Sequence, residues 1–324
     1  MDHPARQAVA EENTLPATRF PDMSAPVMRV AITGATGMVG AALSRGLRAG
    51  GCEVVAVSRH PVPGGVVWNP ERRELPLTEL AGIGAVVHLA GESLSSGRWT
   101  PRRKERLRDS RIAVTRWFSQ ILPQLSPVPR VLVSASAVGI YGDRGDEVLT
   151  ESSACGSDFL ANLAAEWESA ADPARQAGIR VVHPRFGMIL SPRGGALAKL
   201  QPVFRLGLGG RFGTGRQWVS WITIDDVVEG IRHAIDDASL SGPVNFTAPA
   251  PVTNGQFTDA LARAVRRPAI VRVPSFALRL VLGEMAQRTI LASQRVTPVR
   301  LGESGYVMRF PEIVGALDHV IHAQ

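Results

Sequence analysis

The segment RVAITGATGMVGAAL, at 29–43, restricts the possible folds more than any other part of the chain. It predicts a buried strand, a glycine turn and the start of a helix, with Gly34, Gly37 and Gly40 in a G-x-x-G-x-x-G pattern. Glycines at this spacing permit a tight turn, a close approach of the backbone to a diphosphate, and close packing of helix on strand. Since the pattern opens the first strand–helix unit, it predicts a dinucleotide site rather than a turn without a ligand. The residues predicted to contact the dinucleotide here are Gly34, Ala35, Thr36, Gly37, Met38, Val39 and Gly40.

Apolar segments alternate with amphipathic helical patterns over the first two thirds of the chain. Several of these segments are continuous apolar runs, which is typical of parallel strands covered on both faces. The alternation predicts an α/β fold with a doubly wound parallel sheet. The predicted strands are 28–33, 53–58, 85–90, 130–135 and 179–186, with a further strand at 242–249 that returns to the sheet. The predicted helices are 37–50, 100–122 and 156–171.

The same patterns suggest how the chain is divided. Residues 28–190 are predicted to form a nucleotide-binding domain, completed by the strand at 242–249. Beyond it the sequence becomes rich in Gly, Pro and Arg, so 191–324 is predicted to form most of a smaller, partly interleaved substrate lobe. Residues 1–27 are polar and contain prolines, which predicts a disordered tail without the apolar segment of a secretory signal.

Composition restricts the location of the protein. No apolar run approaches the roughly 20 residues that cross a bilayer. Cys52 and Cys155 are the two cysteines, and they lack the spacing of metal ligands. We therefore predict a cytoplasmic protein with free thiols, no metal and no membrane partner.

The formal net charge of +7 raises the possibility of a nucleic-acid partner. The densest basic run, at 98–111, is interrupted by Glu105 and Asp109 and follows an amphipathic helical pattern. A charge run of this kind is typical of a solvated helix face. We therefore predict a small-molecule substrate, no nucleic acid, and a monomer or homodimer.

The end of the second predicted strand bears on the choice of cofactor. An NAD site usually has an Asp or Glu there, which accepts hydrogen bonds from the ribose 2′-hydroxyl. This chain has Ser58 and Arg59 instead. A carboxylate would repel a 2′-phosphate, whereas an arginine pairs with it, so the strand end favours NADP(H). The alternative is that Arg59 stacks on the adenine or faces solvent.

Several longer motifs resemble one known superfamily. TGATGMVG (33–40), VVHLAG (86–91), SASAVGIYG (134–142) and WITIDDVV (221–228) resemble the extended short-chain dehydrogenases/reductases, the superfamily of NAD-dependent epimerases and dehydratases. LAGES, YGDRGDEVLTE, DFLANLAAEWE and GGRFGTGRQWVSWITIDD further resemble its atypical branch, the epimerase family proteins, often labelled cell-division inhibitor or nucleoside-diphosphate-sugar epimerase. The resemblance covers roughly residues 28–320. It implies a Rossmann fold, NADP binding and a C-terminal domain of unknown function, and it implies no particular substrate.

In that superfamily a Ser or Thr, a Tyr and a Lys four residues after the Tyr act together, because the lysine lowers the pKa of the phenol that transfers a proton. The two tyrosines of this chain, Tyr141 and Tyr306, are not followed by such a lysine. The helix at the corresponding place has Phe159 at the tyrosine position and Leu163 at the lysine position. We expect this helix to have a packing role.

The same helix carries three further polar residues. Ser157 is its predicted N-cap, and the carboxylates of Glu166 and Glu168 are expected to be exposed. A role of either carboxylate toward a substrate is the alternative.

Ser136, at the carboxyl edge of the predicted sheet, resembles the catalytic serine or threonine, and Tyr141 on the next loop is a second candidate. A lone serine has too high a pKa for acid–base catalysis, so Ser136 is expected to orient a carbonyl or bond the nicotinamide amide. Tyr141 either offers its hydroxyl to a substrate or anchors its loop.

Further cofactor contacts are predicted for Ser58, Arg59, Leu89, Ala90, Gly91, Glu92, Ser134 and Arg185. The predicted substrate pocket includes Arg98, Trp99, Arg216 and Trp218.

Two functions remain open from the sequence. The first is an NADP(H)-dependent oxidoreductase or epimerase with an unusual proton donor, and the second is a non-catalytic NADP sensor or scaffold.

His88 and His183 are predicted to be core histidines. Thr223 stands where the family usually has a histidine, and the two aspartates after it, at 225 and 226, are expected to favour the start of a helix.

Overall fold

The computed structural model describes residues 27–322 of the chain, so the tail predicted at 1–27 lies outside the described residues except for Val27. The strands are β1 Arg29–Thr33, β2 Glu53–Ser58, β3 Val66–Val67, β4 Ile83–His88, β5 Val131–Ser134, β6 Ser136–Ala137, β7 Val148–Leu149, β8 Arg180–Phe186, β9 Met188–Leu190, β10 Gly210–Phe212, β11 Trp218–Val219, β12 Trp221–Thr223, β13 Gly242–Phe246, β14 Val252–Thr253, β15 Val271–Val273 and β16 Arg295–Val296.

The helices are α1 Met38–Ala49, α2 Pro101–Arg108, α3 Val114–Ile121, α4 Phe159–Ser169, α5 Asp172–Gln176, α6 Gly195–Arg205, α7 Ile224–Asp236, α8 Asn254–Ala264, α9 Ser275–Leu282, α10 Val299–Glu303 and α11 Ile313–His322. A π-helical segment, Asp109–Ala113, joins α2 to α3, so the predicted helix at 100–122 is one nearly continuous element.

The central sheet has the strand order β13-β8-β5-β4-β1-β2-β3, and the short β6 pairs with β8. All its pairs are parallel. From β1 the chain runs outward to β2 and β3, and then crosses to the other side to form β4, β5, β8 and β13. This order confirms the predicted doubly wound sheet, and β13 confirms the predicted return of the chain to it. The predicted division into domains at residue 190 stays a prediction.

Two hydrophobic cores cover the two faces of the sheet. Alternate residues of β1 point to opposite faces: Val30 and Ile32 pack with α1 and α7, whereas Ala31 packs with α3 and α5. All three side chains are fully buried. A third core lies among α6, α8 and α11 of the C-terminal part.

Short polar side chains cap four of the helices, α2, α4, α7 and α8. Thr100 caps α2 by accepting a hydrogen bond from Arg103 N at 3.2 Å, and Pro101 occupies the first turn, as the sequence predicts. The predicted cap of α4 was wrong. Asp158, one residue after Ser157, accepts from Ala161 N at 3.0 Å, because it occupies the extended position just before the first helical residue.

Thr223 is the N-cap of α7, and its hydroxyl accepts from Asp226 N at 3.0 Å. The Asp226 carboxylate is buried; it accepts from Thr223 Oγ1 at 2.7 Å and from Arg309 N at 2.7 Å. Asp226 therefore ties the start of α7 to the C-terminal segment, a long-range role in addition to the expected favourable charge at the helix start.

Candidate functional site

The glycine turn after β1 has the shape that a diphosphate requires. Gly34 has φ of +68°, and Gly37 N donates to Gly34 O at 2.9 Å. A Cβ on Gly40 would lie 2.3 Å from Gly34 O, so only glycine lets α1 begin this close to the turn. Among the described residues no side chain caps α1, whose first amides remain available to an anion. These features fit a bound dinucleotide.

The segment after β4 lies against this turn. A Cβ on Gly34 would meet the backbone of Leu89 and Ala90 at 3.0 Å. Thr33 Oγ1 accepts from the amides of Leu89 and Ala90 at 3.2 and 3.3 Å, which holds the two strand ends together. Leu89 and Ala90 therefore border the crevice at the glycine turn. The predicted cofactor contacts at Leu89, Ala90 and Gly91 stay predictions.

His88 is a core histidine, as predicted. Its Nδ1 lies 2.7 Å from Thr33 Oγ1 and its Nε2 lies 2.9 Å from Thr115 Oγ1. Complete burial lowers the pKa of His88 to about 4, so the ring is neutral near pH 7. It supports the strand ends and does not supply charge.

Part of the dense basic run holds the loop after β4 in place. Its arginines at 98, 102, 106 and 108 are exposed, as expected for a solvated face, whereas Arg103 and Arg111 are buried. Arg103 pairs with the Glu92 carboxylate, and Arg111 Nη2 donates to Glu92 O at 2.9 Å. Arg111 is buried, and burial lowers its pKa to about 10. Arg108 pairs with Glu166 on α4. These contacts fix the segment after β4, and the predicted cofactor contact of Glu92 stays a prediction.

The end of β2 is open to solvent. Ser58 is half-buried and Arg59 is exposed, beside an open cavity of about 830 Å³ that is also lined by Trp68 and Asn69. Within residues 27–322 Arg59 forms no salt bridge. Its guanidinium is therefore available to a ligand at the strand end.

Helix α4 has a packing role at Phe159 and Leu163, the two positions predicted to correspond to the superfamily's tyrosine and lysine. The Phe159 ring packs edge-on against Trp99 at 5.4 Å between centroids, with the Lys104 ammonium 4.7 Å from its centre. Leu163 is only 3% exposed and shares a core with Trp99 and Met285. Neither position can transfer a proton.

Near its C-terminal end, α4 contributes the Glu168 carboxylate to a buried polar network. Ser136 Oγ donates to Glu168 Oε1 at 2.6 Å. Arg185 binds both carboxylate oxygens of Glu168, at 2.8 and 2.9 Å. Only 12% of the Glu168 side chain is exposed, so the expectation of an exposed carboxylate was wrong for Glu168. It holds for Glu166, whose side chain is 42% exposed.

Tyr141 belongs to the same network and is fully buried. Its hydroxyl donates to Asn245 Oδ1 at 2.7 Å and accepts from Arg185 Nη1 at 3.0 Å. Burial raises the pKa of Tyr141, and the nearby Arg185 offsets part of that rise. The catalytic role of Tyr141 and the cofactor contact of Arg185 stay predictions, and each would require a hydrogen bond of this network to be exchanged.

Sequence reasoning missed Glu168 and Asn245 as members of this network. A signal for Glu168 was present, because it lies four and eight residues after Ala164 and Leu160, on the buried face of α4. Asn245 lies on β13, 104 residues from Tyr141, and no local pattern indicates that contact.

Comparison with known proteins gives the family. Residues 30–245 match the NAD dependent epimerase/dehydratase family, and residues 273–320 match a domain of unknown function, DUF1731. The chain belongs to the NAD-dependent epimerase/dehydratase family. This confirms the resemblance seen in the sequence.

Relatives in this family match nearly the whole chain. The epimerase family protein Mb2239 of Mycobacterium bovis is 42% identical over 292 residues, which is 90% of this chain and 96% of that protein. The chloroplastic epimerase family protein SDR39U1 homolog of Arabidopsis thaliana is 38% identical over 303 residues, covering 90% and 86%. The crystal structure of human epimerase family protein SDR39U1 (isoform 2) with NADPH matches with a TM-score of 0.85 and 33% identity, covering 92% of this chain and 100% of that one.

The predicted substrate-pocket residues of this family member fall into two groups. Trp99 is buried, and its Nε1 donates to Leu94 O at 2.9 Å, while Arg98 is exposed beside Gly283. Trp218 and Arg216 lie together elsewhere in the C-terminal part. Trp218 Nε1 donates to Asp146 at 2.7 Å, and the Arg295 guanidinium lies 4.4 Å from its ring centre. Their membership of one pocket stays a prediction.

Two buried polar side chains in the sheet lack partners. Ser134 Oγ and both ring nitrogens of His183 have no hydrogen bond within the described part of the chain. Burial lowers the pKa of His183, consistent with its predicted place in the core. Ser134 is fully buried, and its predicted cofactor contact stays a prediction.

Between residues 27 and 322, no helix combines the length and the hydrophobicity needed to cross a membrane.

Proposed function

We propose that this chain binds NADP(H) and acts as an oxidoreductase or epimerase on a small molecule without a Tyr-x-x-x-Lys pair. One observation carries the choice of cofactor: the strand beside the glycine turn ends in an exposed, unpaired Arg59 where an NAD site has a carboxylate. The NADPH in the human relative's structure supports the same choice.

A bound nicotinamide would supply or accept hydride, and the residues of the chain would orient the reactants. Because the hydroxyl hydrogen of Ser136 is donated to Glu168, its oxygen is left as an acceptor. It fits a role in accepting from a carboxamide N–H or a substrate hydroxyl, and it does not fit a role in donating to a carbonyl. With Phe159 and Leu163 unable to move protons, the proton for a reduction would come from water or from the Tyr141 hydroxyl, which would first have to leave Asn245.

A second function is favoured by the burial of the candidate hydroxyls. Ser136 is 2% exposed, and Tyr141 and Ser134 are 0% exposed. Hydroxyls that are inaccessible to a substrate are expected in a protein that binds NADP(H) as a sensor or scaffold without turning it over.

The two functions separate in one experiment on the purified full chain. NADPH and NADH are titrated by fluorescence, and NADPH oxidation is then measured against a library of carbonyl and enone compounds. We expect tighter binding of NADPH and turnover of at least one compound. Tight binding without any turnover would favour the sensor, and the absence of binding would refute both. The predicted cytoplasmic location stays a prediction.

A further inference from the structure

Helix α6 of the C-terminal part begins directly over the glycine turn. A Cβ on Gly194 would lie 3.2 Å from both Cβ and Sδ of Met38, and one on Gly195 would lie 3.4 Å from Met38 Sδ. Met38 is the first residue of α1. The start of α6 therefore forms a wall of the crevice that the turn opens into.

Lys199, four residues into α6, reaches across this crevice. Its Nζ donates to Ser95 Oγ at 2.9 Å and to Ser95 O at 3.4 Å. Ser95 follows the Leu89–Ala90 backbone that packs against Gly34. The turn, the loop after β4 and the start of α6 thus lie next to one another, and the Lys199 side chain joins α6 to this loop.

Within residues 27–322, no acidic side chain pairs with Lys199. Both of its hydrogen-bond partners are neutral oxygens. Glu92, the acidic residue of the neighbouring loop, is already paired with Arg103. The only other lysine, Lys104, has Glu284 as its ion-pair partner. An exposed ammonium whose hydrogen-bond partners are neutral oxygens attracts phosphate groups.

We propose that Lys199 binds a phosphate group of the ligand in this crevice, the diphosphate of the dinucleotide, with Ser95 as the residue that positions its ammonium. The proposal rests on the proposed NADP(H) binding. It assigns part of the cofactor site to the C-terminal part of the chain, which contributes a cation to a turn that offers backbone amides. A phosphate carried by the substrate is the other source of the same chemistry.

The test compares Lys199→Gln with Lys104→Gln, a variant of the other lysine, whose ammonium already has Glu284 as its ion-pair partner. NADPH and NADH are titrated into the full-length wild type and both variants, and melting temperatures verify that each is folded. Lys199→Gln should weaken NADPH and NADH about equally, by about tenfold, because both cofactors carry the diphosphate. Lys104→Gln should leave both affinities unchanged. Wild type that binds neither cofactor would refute the proposed function instead.

A second arm distinguishes the two sources. Inorganic pyrophosphate is titrated onto the NADPH-loaded wild type and Lys199→Gln. Unchanged cofactor affinity together with lost pyrophosphate binding in Lys199→Gln would assign the lysine to a substrate phosphate. If Lys199→Gln binds NADPH, NADH and pyrophosphate as the wild type does, the proposal is overturned.

Discussion

At the scale of single residues, charge and burial distinguish the two arginines that were predicted to contact the cofactor. Arg59 is exposed at a strand end and has no ion-pair partner within residues 27–322, whereas Arg185 makes hydrogen bonds to Glu168 and Tyr141 in the interior. Only the first has its donors free, because the donors of the second are already satisfied within the fold.

Arg59 should determine the preference for NADPH over NADH. Arg59→Ala removes a cation that pairs with the 2′-phosphate, so we expect NADPH to bind at least about tenfold more weakly and NADH to be unaffected. Fluorescence titration of both cofactors measures this. Arg263→Ala, an exposed arginine on α8, is the matched control. Equal losses for NADPH and NADH would contradict the role of Arg59.

Glu168 should matter for stability far more than its neighbour Glu166. Glu168→Ala leaves the buried Arg185 guanidinium without its carboxylate, which we expect to lower the free energy of unfolding by ~3 kcal/mol. Glu166→Ala breaks an exposed pair with Arg108 and should cost less than ~1 kcal/mol. Urea unfolding of the two variants compares them directly, and similar losses would show that the network adds no stability.

At the scale of elements, α4 is a packing helix at the two positions predicted to correspond to the superfamily's tyrosine and lysine. Phe159 packs on Trp99, Leu163 enters a core, and Glu168 reaches the ends of β6 and β8. These contacts join α4 to the carboxyl edge of the sheet. The glycine turn is built by β1 and α1, so its geometry does not depend on α4.

Restoring the lysine of the superfamily should therefore destabilise this chain. Leu163→Lys places an ammonium in an apolar core where the side chain is only 3% exposed, and we expect a loss of ~3 kcal/mol or more in unfolding free energy. Leu163→Met, which keeps the volume, should cost less than ~1.5 kcal/mol. Denaturant unfolding measures both variants. A Leu163→Lys protein as stable as the wild type would mean that the site is wetter than its burial indicates.

At the scale of the whole molecule, long-range contacts join the sheet to the C-terminal part. β13 returns to the sheet beside β8, Asp226 ties α7 to residues 309 and 310, and Lys199 links α6 to the loop after β4. The crevice is consequently bordered by segments far apart in the sequence.

Stability of the whole chain should fall in mild acid because of His88. Its pKa is about 4 in the folded protein, below the ordinary value of 6.5, so the unfolded chain binds a proton more readily between these values. The contribution of the neutral His88 ring to the free energy of unfolding is complete above pH 6.5 and is lost as the pH falls toward 4. His88→Gln should therefore show a shallower decline of unfolding free energy across this range. His322→Gln, at an exposed position, should keep the wild-type slope, and an unchanged slope in His88→Gln would contradict the assignment.

Local pattern was sufficient for six of the eight strands of the central sheet, the glycine turn, the cap at Thr100 and the absence of a tyrosine–lysine pair, but it did not predict the two-residue strands β3 and β6. These features depend on neighbours within a few residues, where periodicity, glycine and short polar side chains act directly on the backbone. The cap of α4 was missed by one residue, since Ser157 and Asp158 are both good caps and only the path of the chain selects between them.

The hydrogen-bond partners of the polar side chains could be identified only from the folded chain. Ser136 and Glu168 are 32 residues apart, Tyr141 and Asn245 are 104 apart, and Ser95 and Lys199 are 104 apart. Whether a carboxylate faces solvent or an arginine, and whether a lysine borders a crevice, depends on which elements pack together. That packing is set by the burial of apolar surface over the whole molecule, which no short segment of sequence contains.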